Sequence, residues 1–353
     1  MKNWEKNLRE TAPYVPGEQP DLSDMIKLNT NENPYPPAPG VRRVLEELQT
    51  AKLALYPDPE AKQLVEELSA QYRIAPEQIF VGVGSDDVLG MIFLTCFGSE
   101  KPVLFPDITY SFYDVWAKLF RIPYQMLPVK EDFRICKEDY YRENGGIVLA
   151  NPNAPTSIGE GLDFIEDIIK HNPDSVVVVD EAYVDFGGVS ALPLLEKYDN
   201  LLVVQTFSKS RSMAGMRIGF AFGSRRLISA IYGVRNSYNS YTMNYPSIVC
   251  GVAALKDRAY FEECTGRVIR TRERVKKELR ELGFSFPDSR TNFLFVTHER
   301  VPAAELFAML REKRIFVRYF KTPRIDNYLR ITIGTDAQMD RLSEVLREYL
   351  RAE

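Results

Sequence analysis

Short apolar runs alternate along this chain with longer stretches whose apolar residues recur every three or four positions. The runs at Pro102 to Phe105, Gly146 to Ala150, Val176 to Asp180, Leu201 to Thr206 and Ile218 to Gly223 read as strands, the middle ones apolar throughout and so buried on both faces. Helical patterns lie between several of them, at Ser85 to Phe97, Ser111 to Phe120, Gly161 to His171 and Ala191 to Lys197. Strands alternating with helices predict an α/β fold: a mainly parallel sheet with helices on both faces.

After about Tyr245 the texture changes. Phe261, Cys264, Val268, Val275, Leu279 and Leu282 predict one long amphipathic helix, with Gly283 as its C-cap. Three further strands are expected at Asn292 to Val296, Ile315 to Phe320 and Leu329 to Ile333, with helices at Ala303 to Lys313 and Ala337 to Leu350. The expected organisation is an N-terminal arm over residues 1–40, a large α/β domain over 41–245 and a small α+β domain over 246–353. Pro34, Pro36, Pro37 and Pro39 force the arm into an extended path.

Composition narrows the chemistry. A net charge of −4 over 353 residues gives no general field for nucleic acid or an anionic membrane, so small anions must be met by local arginines. The four cysteines are far apart without a CxxC, and His171 and His298 are the only histidines, which argues against a disulfide framework, a metal site or histidine-based nucleophilic catalysis. No stretch reaches the ~18 apolar residues of a membrane span, and the opening Met1 to Lys6 lacks a signal-peptide core. A cytoplasmic location is expected.

Candidate chemistry concentrates where strands end. Lys209 follows the strand Leu201 to Gln205 within Thr206-Phe207-Ser208-Lys209, where an amine can be desolvated and can condense with an aldehyde. Asp180 ends the Val176 to Val179 run, and one crossover and one strand would set it on the same sheet rim as Lys209. A buried carboxylate beside a pyridine-type nitrogen keeps that nitrogen protonated, and Tyr183 lies near enough to donate to a phenolate oxygen. Arg217, Thr206 and Ser208 offer a fork and hydroxyls to a phosphate, and Val81-Gly82-Val83-Gly84-Ser85-Asp86 brings backbone amides at a helix start. Together these point to pyridoxal phosphate. Ser85 and Asp86 also suit plain N-caps, and Arg217 a surface ion pair. The glycines match no GxGxxG dinucleotide pattern.

These residues carry a family resemblance. Lys27 to Pro34, Tyr56-Pro57-Asp58, Gly84-Ser85-Asp86, Asn151 to Thr156, Asp180 to Tyr183, Ser208-Lys209 with Ala214 to Arg217, and Leu329 to Gly334 follow one another as in the fold type I pyridoxal-phosphate aminotransferases, and resemble the histidinol-phosphate branch. The resemblance implies a seven-stranded sheet, an arm folded back onto the small domain, and a homodimer in which Tyr56 reaches the partner's cofactor. It implies Lys209 as the covalent anchor, Asp180 at the ring nitrogen and Tyr183 at the phenolate oxygen. Ser85, Asp86, Ser208 and Arg217 would hold the phosphate, and Tyr110 would stack on the ring. Tyr56 as an ordinary Tyr-Pro turn, and Tyr110 as a core aromatic, stay open on sequence.

One departure stands out. The family's asparagine before Pro-Thr-Gly bonds the phenolate oxygen, and here Ala154 takes that place, with Ser157 for the glycine. Either Asn153 or Asn151 is expected to approach the ring instead, or Tyr183 alone supports the oxygen.

For substrate, the resemblance implies Arg330 at the anionic group, Arg318 as a second basic position for the histidinol phosphate, and Tyr14 nearby. Packing for Tyr14 and a cross-strand ion pair for Arg318 remain alternatives. The expected reaction passes an amino group from L-histidinol phosphate to 2-oxoglutarate. An aminotransferase for aromatic or other amino acids, a threonine-phosphate decarboxylase-like enzyme and a non-catalytic cofactor-binding regulator are the other readings.

Overall fold

The computed structural model describes residues 2–14, 17–20 and 24–352; parts of the expected arm, at 1, 15–16 and 21–23, lie outside the described residues. Among the described residues the strands are β1 (Ile26–Leu28), β2 (Ile79–Gly82), β3 (Val103–Pro106), β4 (Tyr124–Leu127), β5 (Gly146–Ala150), β6 (Val177–Asp180), β7 (Leu201–Thr206), β8 (Gly219–Gly223), β9 (Phe284–Ser285), β10 (Phe293–His298), β11 (Ile315–Tyr319) and β12 (Leu329–Thr332). The helices are α1 (Pro39–Glu46), α2 (Lys62–Tyr72), α3 (Ser85–Cys96), α4 (Tyr113–Phe120), α5 (Leu162–Lys170), α6 (Arg225–Tyr238), α7 (Tyr245–Lys256), α8 (Arg258–Glu281), α9 (Ala303–Glu312) and α10 (Asp336–Ala352).

Seven strands form one sheet in the order β2-β8-β7-β6-β5-β3-β4, with β8 antiparallel to both neighbours and the remaining pairs parallel. Alternation along the strands assigns its two faces. Val148, Val178, Leu202 and Val204 pack with residues of α3, α4 and α6, while Ile147, Leu149, Val177, Val179, Leu201 and Val203 pack on the side of α5. Asp180, two residues beyond Val178, therefore faces α4, and Glu181 faces the other way.

The second sheet runs β1-β11-β12-β10-β9 and packs on α8 and α10 through a separate core that includes Val268, Val275, Leu294, Ile331 and Leu342. Its edge strand β1 comes from the N-terminal segment and pairs in parallel with β11, Ile26 opposite Ile315 and Leu28 opposite Val317. Gly283, at φ 87°, takes the left-handed turn just past α8.

Three details differ from the pattern reading. The stretch expected as a helix at Ala191 to Lys197 is a five-residue 3-10 turn, Leu192–Glu196, opened by a proline. Helix α4 begins at Tyr113 rather than Ser111. Strands β1, β4 and β9 carry two to four residues each, too few to show a period, and their pairing comes from neighbours.

Candidate active site

Strands β5, β6 and β7 run parallel in a register that sets Ala150, Asp180 and Val204 side by side, so their carboxyl ends share one rim. On that rim a cavity is lined by Ser85, Asp86, Tyr110, Asp180, Tyr183, Ser208, Lys209 and Arg217, together with Ala150, Pro152, Ala154, Ala182 and Ala214. Residues scattered over more than a hundred positions of sequence thus meet in one volume.

Asp180 is 5 % exposed. Its Oδ2 accepts the hydroxyl of Tyr113 at 2.8 Å, and its Oδ1 accepts the amide of Ala182 at 3.2 Å. Burial lifts its pKa to about 6; the Tyr113 and Ala182 hydrogen bonds and the Lys209 charge pull against that, and the Asp86 carboxylate adds to it. Tyr113 escaped the sequence reading, because an aromatic at a helix start is indistinguishable from core until its partner is known.

Lys209 lies three residues past the end of β7 and turns its Nζ to the carbonyl of Thr30 at 3.2 Å. The same amine lies 5.7 Å from the centre of the Tyr183 ring. The Tyr183 hydroxyl accepts Asn31 Nδ2 at 2.9 Å, and Asn33 Nδ2 donates to the carbonyls of Lys209 at 3.1 Å and Ser210 at 3.2 Å. Asn29, Thr30, Asn31 and Asn33 belong to a segment whose motif was legible but whose contacts were not.

At the other end of the cavity, Gly84 (φ 85°) leads into α3, whose first amides have no intrahelical acceptor. A methyl group on Gly84 would overlap the Arg217 guanidinium. Arg217 Nη2 pairs with Asp86 Oδ2 at 3.1 Å, and Nη1 reaches Ser208 Oγ at 3.4 Å. Asp86 Oδ1 accepts the Tyr110 hydroxyl at 2.8 Å. Thr206 does not line the cavity; its hydroxyl bonds Ser208 Oγ at 3.0 Å and the amide of Ser208 at 3.1 Å, which orders the loop ahead of Lys209.

Asn153 does not line the cavity: its Nδ2 donates to Ile108 O and Thr156 Oγ1, both at 2.9 Å, and its Oδ1 accepts Thr109 at 2.7 Å, so the side chain ties its own loop to the one that follows β3. Asn151 likewise closes on the backbone of Glu160. Ala154 lines the cavity and offers it no polar atom.

Arg318 and Arg330 stand opposite each other on β11 and β12. Arg330 Nη2 donates to Asn29 O at 2.9 Å, its buried Nε has no partner, and its guanidinium lies 5.3 Å from the Phe293 ring. Burial first, and then the Arg318 charge, hold its pKa below the ordinary value. Phe293 in turn meets Tyr183 edge-on at 5.1 Å. Tyr14 stacks on Phe112 at 4.3 Å and stands 6.5 Å from Tyr110. Tyr56 is not at the cavity: it is 82 % exposed, 4.7 Å from the ring of Tyr241. No cluster of metal-ligating side chains occurs among the described residues, and no helix there is long and apolar enough to cross a membrane.

The sequence matches the family model for aminotransferase class I and II over residues 23–346. It is 52 % identical over 349 residues to a histidinol-phosphate aminotransferase of Lactococcus lactis subsp. cremoris, covering 99 % of this chain and 98 % of the relative. The histidinol-phosphate aminotransferase of Acinetobacter baylyi is 50 % identical over 353 residues, with 99 % and 98 % covered. Among solved structures, the histidinol-phosphate aminotransferase from Sinorhizobium meliloti in complex with pyridoxal-5'-phosphate superposes with a TM-score of 0.84 over 93 % of this chain and 91 % of that one, at 24 % identity, a likeness of fold.

Proposed function

The chain belongs to the class I and II aminotransferases, and from that premise we propose that it is a pyridoxal-phosphate-dependent transaminase that takes the amino group of L-histidinol phosphate and gives it to 2-oxoglutarate, a step of histidine biosynthesis. The observation that carries the reading is that Lys209, Asp180 and Arg217 line one cavity. A buried carboxylate, an amine and an arginine with a helix start, set around one space, suit a small ring with a basic nitrogen, an aldehyde and a phosphate arm. The curated relatives bearing that substrate's name, at half identity over nearly the full chain, favour it over the decarboxylase reading.

When bound, the coenzyme supplies an aldehyde for amine capture and an electron-withdrawing ring. Lys209 Nζ would hold the aldehyde and, as a free amine, would carry the proton from the substrate Cα to the coenzyme's aldehyde carbon. Asp180 keeps a proton on the ring nitrogen. Tyr183 would donate a hydrogen bond to the phenolate oxygen, Tyr110 would stack on the ring, and Ser85, Asp86, Ser208 and Arg217 would hold the phosphate, the first two through backbone amides. Arg330 binds the carboxylate or phosphate of the substrate, Arg318 adds the second positive charge, and Tyr14 lies at the margin.

The same reading takes residues 41–245 as the coenzyme-binding domain, 246–353 as the small domain and 1–40 as the arm between them. It makes the protein a cytoplasmic homodimer whose Tyr56 reaches the partner's site; the exposure of Tyr56, Leu55 and Leu53 supports a covered surface there.

Single-turnover spectra with L-histidinol phosphate, glutamate, phenylalanine and threonine phosphate test the proposal. Histidinol phosphate should convert the coenzyme to its amine form fastest. Carbon dioxide release from threonine phosphate would overturn the reading. Lys209→Ala should lose the visible absorbance band, and a retained band would refute the anchor.

A further inference from the structure

We propose that Asn31 is a positioning residue for Tyr183: it holds the phenol so that its only proton points into the cavity, and does so from a strap, residues 29–33, tied to the second sheet. The inference rests on the coenzyme reading above and adds to it the group that orients the phenolate's donor.

The orientation of the Asn31 amide follows from its neighbours. The Asn31 backbone N–H donates to Thr332 Oγ1 at 3.0 Å, and that hydroxyl passes its single proton to Asn31 Oδ1 at 3.1 Å. Oδ1 is thereby fixed on Thr332, and the atom facing Tyr183 at 2.9 Å has to be the donor Nδ2. A phenol oxygen that accepts one N–H keeps its own proton for a different partner, and accepting strengthens its donation. Tyr183 lines the cavity, so the proton is available there. With Ala154 apolar, Asn151 closed on the backbone of Glu160 and Asn153 bonded to Ile108 and Thr109, no side-chain amide from that loop lines the cavity.

The strap is rigidly placed. Asn31 is 1 % exposed, at φ 57°, and its carbonyl accepts Asn292 Nδ2 at 3.0 Å. Its neighbours serve the same site: Thr30 O receives Lys209 Nζ, Asn29 O receives Arg330, and Asn33 bonds the Lys209 carbonyl. Asn29, Thr30 and Asn31 thus touch the substrate-side arginine, the amine and the phenol, and Asn33 the backbone that carries the amine.

Two variants test this. Asn31→Asp tolerates the left-handed backbone and keeps an acceptor for Thr332 but cannot donate to Tyr183. Asn31→Gly takes φ 57° without strain and removes the side chain, and its thermal unfolding is compared with that of the wild type. The dissociation constant for pyridoxal phosphate, by equilibrium dialysis, and the pH titration of the visible band are measured for each variant in wild-type and Tyr183→Phe backgrounds. Loss of one hydrogen bond predicts roughly fivefold weaker coenzyme binding in the wild-type background and a shifted band titration. In the Tyr183→Phe background the same changes should be nearly silent, the signature of action through Tyr183. Equal losses in both backgrounds, or unchanged binding in both variants, overturn the role of Asn31. A wild-type protein that takes up no pyridoxal phosphate overturns the proposed function as well.

Discussion

Arg318 and Arg330 face each other as direct partners on neighbouring antiparallel strands. Like charges in that position repel, and the second of the pair also has a buried Nε without an acceptor. A bound dianion would relieve both. Replacing Arg330 by Lys removes the fork while leaving a charge, so KM for the amine substrate should rise at least tenfold, on the order expected for losing a bidentate anion contact, with the visible coenzyme band intact. Steady-state kinetics beside an absorbance spectrum check it; loss of the band would place the damage elsewhere.

Asp180 costs stability in the coenzyme-free protein. Its pKa is about 6 in the fold against 3.8 ordinarily. A raised acid is favoured in its protonated form, so stability is full below pH ~4 and is lost as pH rises through about 6, by up to about 3 kcal/mol. Asp180→Asn should therefore match the wild type near pH 4 and exceed it near pH 7 in urea unfolding without coenzyme, while binding pyridoxal phosphate more weakly. Equal stability at pH 7 would contradict the assigned burial cost.

Glu181 works on the opposite face of the strand. Its carboxylate accepts Ser190 at 2.7 Å, the Ala191 amide at 2.6 Å and Gln205 at 2.8 Å, and Gln205 in turn accepts the Tyr72 hydroxyl at 2.9 Å. Glu181→Ala leaves buried donors unsatisfied and should cost about 3 kcal/mol in chemical denaturation, with a change under about 1 kcal/mol showing that water fills the gap.

Gly84 combines a positive φ with the nearness of Arg217. Gly84→Ala should displace the guanidinium, weakening coenzyme binding about tenfold or more and lowering stability by about 1–3 kcal/mol. Fluorescence titration with pyridoxal phosphate and thermal unfolding measure the two effects separately.

Much of this was written in local pattern. All-apolar runs announced β5, β6 and β7 because a strand buried on both faces needs an unbroken apolar run, and Asp180 and Lys209 stood out as polar residues at or just past the ends of such runs. Helix α8 was evident from its 3.6-residue stripe. Chain order alone also carried the resemblance that singled out Tyr110, Arg318 and Arg330.

Partnership was another matter. Nothing local distinguishes Tyr113 from a core tyrosine, turns Asn153 away from the cavity, or tells that Asn31 would meet Tyr183 across 152 positions of chain. The last of these depends on where three-residue β1 docks, and so short a strand has no periodicity of its own; the β11 edge sets its register. Hydrophobic spacing is a property of a segment and can be read along it, whereas a hydrogen bond between distant side chains exists only once two sheets have packed and a single chain path has brought both ends into reach.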